Sequence, residues 1–275
     1  MGHVVVSNVS KEYITISGLS KTYVERRNIA RTKEEKSRKP GDSIVVLDNI
    51  SLEINEGELV CILGPSGCGK STLLRIIAGF DTNTIGNVLI NGKKVRGPSA
   101  EHIFVFQHNG LLPWMTVWQN VGLGLRRIED EIERSEKTQE YIDMVELSGF
   151  EHHYPYQLSG GMQRRVELAR ALAVNPDVLF MDEPFTGLDF LTHMKMREEV
   201  VNMHELIRKT MLFVTHDIDD ALLMGDKIVV LSERPTKIKL LEQLEFPHPR
   251  DFASEPELDE LRKEVFLMLG VNYVV

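Results

Sequence analysis

Residues 58–79 read ELVCILGPSGCGKSTLLRIIAG. The stretch opens on a short apolar run rich in β-formers, breaks on a glycine-rich turn, and resumes at Lys70 with apolar residues at helical spacing. Strand, turn and helix in that order fit the phosphate-loop pattern G-x-x-x-x-G-K-[ST]. Glycines let backbone N–H groups curl around phosphate oxygens, and the helix N-terminus adds partial positive charge. Lys70 then reaches the outer phosphates, and the Ser71 hydroxyl binds Mg²⁺. Gly64, Ser66, Gly67, Cys68, Gly69, Lys70, Ser71 and Thr72 are therefore candidate phosphate-binding residues.

Outward from this loop, β-rich runs alternate with helix-period runs. Strands are expected at 13–18, 45–54, 58–63, 87–91, 103–106, 177–181, 211–214, 226–231 and 236–241. Helices are expected at 70–79, about 190–208 and about 217–224. From about 117 to 173 no strand is evident, while Tyr141, Met144 and Val145 share a helical face, as do Met162, Val166, Ala169 and Ala173. The pattern predicts an α/β fold with a largely parallel sheet covered on both faces and a helical insertion.

The 275 residues, 42% hydrophobic and 27% charged, form an ordinary globular chain long enough to bury a core. A net charge of −9 disfavours nucleic acid as a partner. Two cysteines, Cys61 and Cys68, exclude a disulfide scaffold and fit a reducing compartment. No apolar run approaches the ~18 residues of a membrane span, and the N-terminus does not read as a signal peptide. Residues 24–42 form a basic, polar insertion, and the tail 246–275 opens on FPHPR before turning acidic and helical.

Three further elements carry chemistry. The apolar run 178–181 ends in Asp182-Glu183, which places two carboxylates at the carboxyl edge of a sheet, beside the phosphate loop. Asp182 is suited to hold Mg²⁺, and Glu183 to polarise an attacking water. Ser159-Gly160-Gly161 opens a helix and offers a second anion site, with a hydroxyl and free N–H groups.

With these residues the chain resembles the ATP-binding cassette (ABC) ATPases over about residues 12–245. The ordered motifs are the phosphate loop 64–72, Gln107 in VFQH, the signature LSGGMQ at 158–163, Asp182-Glu183, Asp189 closing TGLD, and His216 in VTHD. The resemblance implies a P-loop NTPase (RecA-like) core at about 12–107 and 168–245. It also implies an N-terminal antiparallel β part, and a helical subdomain at about 108–167. It further implies a head-to-tail homodimer with ATP between one phosphate loop and the partner copy's signature. In that arrangement Gln107 contacts Mg²⁺ or the water, Asp189 couples the two sites, and His216 contacts the γ-phosphate. Adenine would stack on Tyr23 or Tyr13, with Tyr23 favoured. Alkylation of Cys68 is expected to block ATP binding by bulk.

GPSA at 97–100, GLLPWMTVWQNV at 110–121, VTHDIDDAL at 214–222, LSERPTKI at 231–238 and FPHPR are similar to nitrate/sulfonate/taurine-type importer ATPases. This branch implies a peripheral ATPase at the cytoplasmic face of the inner membrane. Its partners would be multi-span permease subunits and, indirectly, an extracytoplasmic solute-binding protein. The run 111–118 would serve as core of the helical subdomain or line a groove for the permease. The alternative is the ATPase of a lipid-transfer or lipoprotein-release complex.

Overall fold

The computed structural model describes residues 12–24, 43–107 and 110–270. Most of the expected basic insertion lies outside the described residues; its first residue, Val24, ends a strand.

Two sheets share one core and touch where Leu47 bridges Thr236. The first is antiparallel, in the order β2-β1-β4-β5, from β1 (Glu12–Val24), β2 (Ser43–Asn55), β4 (Ile85–Ile90) and β5 (Lys93–Lys94). The second runs β10-β9-β3-β8-β7-β6. Its strands are β3 (Leu59–Leu63), β6 (His102–Val105), β7 (Val178–Asp182), β8 (Thr210–Val214), β9 (Lys227–Leu231) and β10 (Ile238–Gln243). Within it, β6, β7, β8, β3 and β9 are mutually parallel, and β10 closes one edge antiparallel. The parallel core needs crossover helices, and α1 (Lys70–Ile77), α5 (Phe190–Ile207) and α6 (Ile218–Met224) supply them.

All five residues of β3, β7, β8 and β9 are buried. Strict alternation decides which core each one enters. Leu59, Cys61, Leu63, Leu179, Met181, Met211, Phe213, Ile228 and Val230 face the side of α5 and α6. Val60, Ile62, Val178, Phe180, Leu212, Val214, Val229 and Leu231 face α1 and the antiparallel sheet. Continuous apolar strands of this kind are what a doubly covered parallel sheet requires.

Between β6 and β7 the chain is helical: α2 (Val117–Gly122), α3 (Glu131–Met144) and α4 (Gly160–Ala173). Each start is set by its sequence. Thr116 and Gln119 form a capping box, Asp130 caps α3 and Ser159 caps α4. In the run 111–118, Leu111 and Val117 are buried while Trp114 is 68% exposed. That run thus contributes to the core and also presents an aromatic surface. The tail forms α7 (Pro256–Met268), tied to α6 by Arg262, whose guanidinium donates to both Asp219 carboxylate oxygens at 2.6 Å.

Candidate active site

The phosphate loop leaves β3 at Leu63 and enters α1 at Lys70. Two of its glycines have no room for a side chain. A methyl on Gly64 would fall 2.9 Å from Cys68 Sγ, and one on Gly69, at φ +132°, would fall 2.8 Å from Val46 Cγ1. The loop is braced from behind, where the buried Thr236 hydroxyl donates to the Cys68 carbonyl. The Cys68 side chain is itself buried, and burial pushes its thiol above the ordinary value. Only its backbone can serve a phosphate, and the thiol is shielded from the alkylation expected above.

Lys70 lies folded over the loop. Its Nζ donates to the Gly64 carbonyl at 2.8 Å and the Pro65 carbonyl at 3.1 Å, and sits 3.7 Å from Glu183 Oε1. The Ser71 hydroxyl donates to Asp182 Oδ1 at 2.7 Å. Burial raises the Asp182 carboxyl above its usual range, while the Ser71 hydrogen bond and Arg75 pull it back. A hydroxyl and a carboxylate side by side, with no sulfur or imidazole, are the hard oxygen donors that Mg²⁺ takes. The pair fits that ion.

Glu183 follows β7 at φ +48°, in the left-handed region that a glutamate rarely occupies. Its N–H donates to the Val214 carbonyl at 2.9 Å, which anchors the turn to β8. The turn delivers the carboxylate to within 3.3 Å of His216 Nδ1 and of the Thr186 hydroxyl. His216 follows β8 and its side chain is exposed. Lys70, Ser71, Asp182, Glu183 and His216 thus converge at the ends of three neighbouring strands. Beside them a cavity of about 590 Å³ is lined by Gly64, Pro65, Ser66, Glu183, His216 and, unforeseen from the sequence, Phe266 of α7.

A second group forms elsewhere. The Ser159 hydroxyl accepts from the Met162 N–H at 3.2 Å, and Asp189 caps α5 by accepting from the Thr192 N–H at 3.1 Å. The hydrogen bonds from Thr192 hold the exposed Asp189 carboxyl below its usual value. A methyl on Gly161 would meet Thr192 Cγ2 at 2.3 Å, so the two helix starts are in close contact. Among the described residues, no hydrogen bond or ion pair joins Ser159, Gly160, Gly161 or Asp189 to the first group.

Tyr13 and Tyr23 differ sharply. Tyr13 is 6% exposed, and its hydroxyl is pushed up to about 12, by burial first and then by Asp177 and Glu56. Burial removes Tyr13 from the candidates for stacking on a base. Tyr23 is exposed, its hydroxyl donates to Asp81 Oδ2 at 2.6 Å, and the hydroxyl of Thr72 lies beside it. It sits in β1, which runs on to Val24, well past the strand expected at 13–18. The Lys21 ammonium lies 4.6 Å from the centre of its ring.

Gln107 has an exposed side chain, and its carbonyl accepts from Arg164 Nη2 at 2.8 Å. Sequence reasoning missed Arg164, Glu167 and Thr236. They act on main-chain groups, and no side-chain pattern announces such partners.

The family model described as "ABC transporter" matches residues 47–186, just over half of the chain. The aliphatic sulfonates import ATP-binding protein SsuB of Bacillus cereus is 42% identical over 227 residues, covering 82% of this chain and 89% of that protein. The nitrate import ATP-binding protein NrtD of Synechocystis is 46% identical over 198 residues, covering 72% of this chain and 74% of that protein. Among solved structures, a dimer of the ATP-binding cassette MJ0796, in a post-hydrolysis state with ADP and Pi, superposes with a TM-score of 0.68. It is 34% identical, and the match covers 85% of this chain and all of that one.

Proposed function

This chain belongs to the ABC transporter family, and from that premise we propose that it is the ATP-hydrolysing subunit of a membrane importer for a small solute of the nitrate, sulfonate or taurine class. The observation that carries the chemistry is the convergence of Lys70, Ser71, Asp182, Glu183 and His216 on one end of the parallel sheet.

In the working site, the loop N–H groups from Ser66 to Thr72 and the Lys70 ammonium hold the phosphates. Lys70 exchanges its present carbonyl partners for phosphate oxygens, which attract its charge more strongly. Ser71 and Asp182, with Gln107, would hold Mg²⁺, which would neutralise charge on the phosphates when bound. Glu183 orients the attacking water and takes up its proton, and His216, in contact with Glu183, steadies it. Tyr23 offers its ring to adenine. Positioning and charge stabilisation, rather than covalent chemistry, carry most of the acceleration.

Among the described residues, no hydrogen bond or ion pair ties the signature group to the phosphate loop of its own chain. Ser159, Gly160 and Gly161 complete the site of a second copy, and Asp189 lies at the seam. That reading agrees with the likeness to a dimeric cassette. The dimer sits on multi-span permease subunits at the cytoplasmic face of the membrane, and an extracytoplasmic binding protein supplies the solute. The similarity to import subunits supports this over a lipid-transfer role. No helix of the described residues is long and apolar enough to cross a membrane.

The test has two parts. Purified protein with Mg²⁺ and ATP is expected to release phosphate. The tagged chain, drawn from detergent-solubilised membranes of its host, is expected to carry a multi-span permease encoded beside a secreted binding protein. Phosphate release without such a permease removes the importer assignment. No phosphate release from the assembled complex removes the ATPase reading.

A further inference from the structure

His216 lies 3.3 Å from Glu183, yet its side chain is 63% exposed, so packing does not fix its aim. The main chain must do so. Three residues, Thr215, His216 and Asp217, join the end of β8 at Val214 to the start of α6 at Ile218. β8 is held in the buried sheet. The aim of His216 therefore depends on where the first turn of α6 is placed.

Two neighbouring carboxylates hold that turn, each from a different element. Asp220, which is buried, meets His193 Nε2 at 2.8 Å and Arg197 Nη1 at 3.5 Å, both from α5. Asp219 faces the tail, where Arg262 of α7 donates to Oδ1 through Nε and to Oδ2 through Nη2. The guanidinium is itself steadied by two rings of the tail, with the centres of Phe252 and Phe266 4.4 and 5.7 Å from its carbon. The same stretch of tail reaches the site. Phe266 and Leu269 line the cavity that Ser66, Glu183 and His216 also line.

The tail does not need this fork to stay docked. Leu258 and Val265, on the same face of α7 as Arg262, are fully buried. A partly exposed ion pair adds little to stability. What an arginine fork on a carboxylate does supply is direction, because two parallel hydrogen bonds leave little freedom to turn.

We propose that Arg262 is a positioning residue: through Asp219 it sets the first turn of α6 and so aims His216, which makes the tail a working part of the ATPase. This rests on the ATPase reading, but one half of its test does not use activity. The full chain is compared with Arg262→Gln and Arg262→Lys. Hydrogen–deuterium exchange is followed without nucleotide. The peptide around Thr215–Leu222 is expected to exchange about fivefold faster in Arg262→Gln, with β8 and α5 unchanged. With ATP, kcat is expected to fall about five- to tenfold while KM stays within about twofold, since misplacing a group disturbs turnover more than binding. Arg262→Lys keeps the charge but cannot form the fork; it should fall between the two and serves if Arg262→Gln does not fold. In a chain that already carries His216→Ala, adding Arg262→Gln should change single-turnover phosphate release by less than about twofold, because Arg262 acts through His216. Faster exchange confined to α7, an unchanged kcat, or the same loss with and without His216 overturns the proposal. The ATPase reading stands or falls separately, on phosphate release by the unaltered chain.

Discussion

Replacing Glu183 by glutamine separates catalysis from binding. The substitution keeps the shape of the side chain and the hydrogen bond from its N–H to the Val214 carbonyl at 2.9 Å. Glutamine bears the left-handed φ of +48° no worse than glutamate does. What is lost is charge, 3.7 Å from Lys70 Nζ and 3.3 Å from His216 Nδ1. An ion pair of that length with a partly exposed carboxylate is worth at most about 1 kcal/mol to the fold. A general base is worth about 10²- to 10⁴-fold in rate, or roughly 3–5 kcal/mol of barrier. The two magnitudes decide the outcome: the variant stays folded and fails to turn over. Lys70, freed of a competing carboxylate, should bind nucleotide at least as tightly as before. Phosphate release, nucleotide titration and light scattering test the three points, with ATP expected to hold a closed dimer. Turnover within about tenfold of the unaltered protein would remove Glu183 from the mechanism.

Lys70→Ala should instead weaken nucleotide binding itself, by about 10- to 100-fold in Kd by calorimetry, since a charge-assisted contact is worth about 1.5–3 kcal/mol; an unchanged Kd refutes the role given to Lys70. Gly161→Ala drives a methyl to 2.3 Å from Thr192 Cγ2 and should cost about 1–3 kcal/mol, read as Tm. Adding Thr192→Ser, which deletes that methyl, should restore most of it, and no restoration would show that the contact is not limiting. Asp220 gives a pH effect. Burial, reinforced by Asp217, pushes its carboxyl from an ordinary 3.8 up to about 6, with His193 and Arg197 pulling back. Between these two values the folded chain binds the extra proton, so the contribution of Asp220 to stability is greatest near pH 4, falls through about pH 6 and is flat above. Asp220→Asn should flatten the Tm profile over that window, and a profile of unchanged slope would refute the assignment.

Much of this site was legible because its parts are contiguous in sequence. A phosphate loop carries strand, glycines and lysine within 13 residues, 59–71, and Asp182-Glu183 announces itself at the end of an apolar strand. The residues favour Tyr23 over Tyr13, but the backbone device that separates the two is not legible in them. Positions 13 and 23 share parity, so a regular strand would set both on one face. The pairing of β1 with β2 instead shifts register after Ile16, Leu19 and Lys21, which leaves Tyr13 buried and Tyr23 exposed. Arg164 and Glu167 escaped notice for another reason. On a helix surface such a pair reads as an ordinary exposed i, i+3 salt bridge, and only the fold reveals the carbonyls that it holds.

These pieces bear on how the cassette couples its two ends. Lys70, Glu183 and His216 are fixed by β3, β7 and β8, three adjacent strands of one buried sheet, and have little freedom to move apart. The signature, by contrast, belongs to a helix outside that sheet, which meets α5 at Thr192 and through the Arg165–Glu199 ion pair, and meets the segment after β6 through the hydrogen bonds of Arg164 to the Phe106 and Gln107 carbonyls. A rotation of the helical part must therefore act on both neighbours at once. One leads to Asp189, three residues before Thr192, and the other to Gln107. If a permease pushes on the exposed Trp114 or its neighbours, the displacement is delivered to both residues by rigid contacts rather than through the sheet. The arrangement predicts that substitutions at Arg164 and at Thr192 combine non-additively in permease-stimulated turnover, while each combines additively with a core substitution such as Phe180→Leu. Additive behaviour of the first pair would mean that the two contacts work independently and that α4 is not the shared lever.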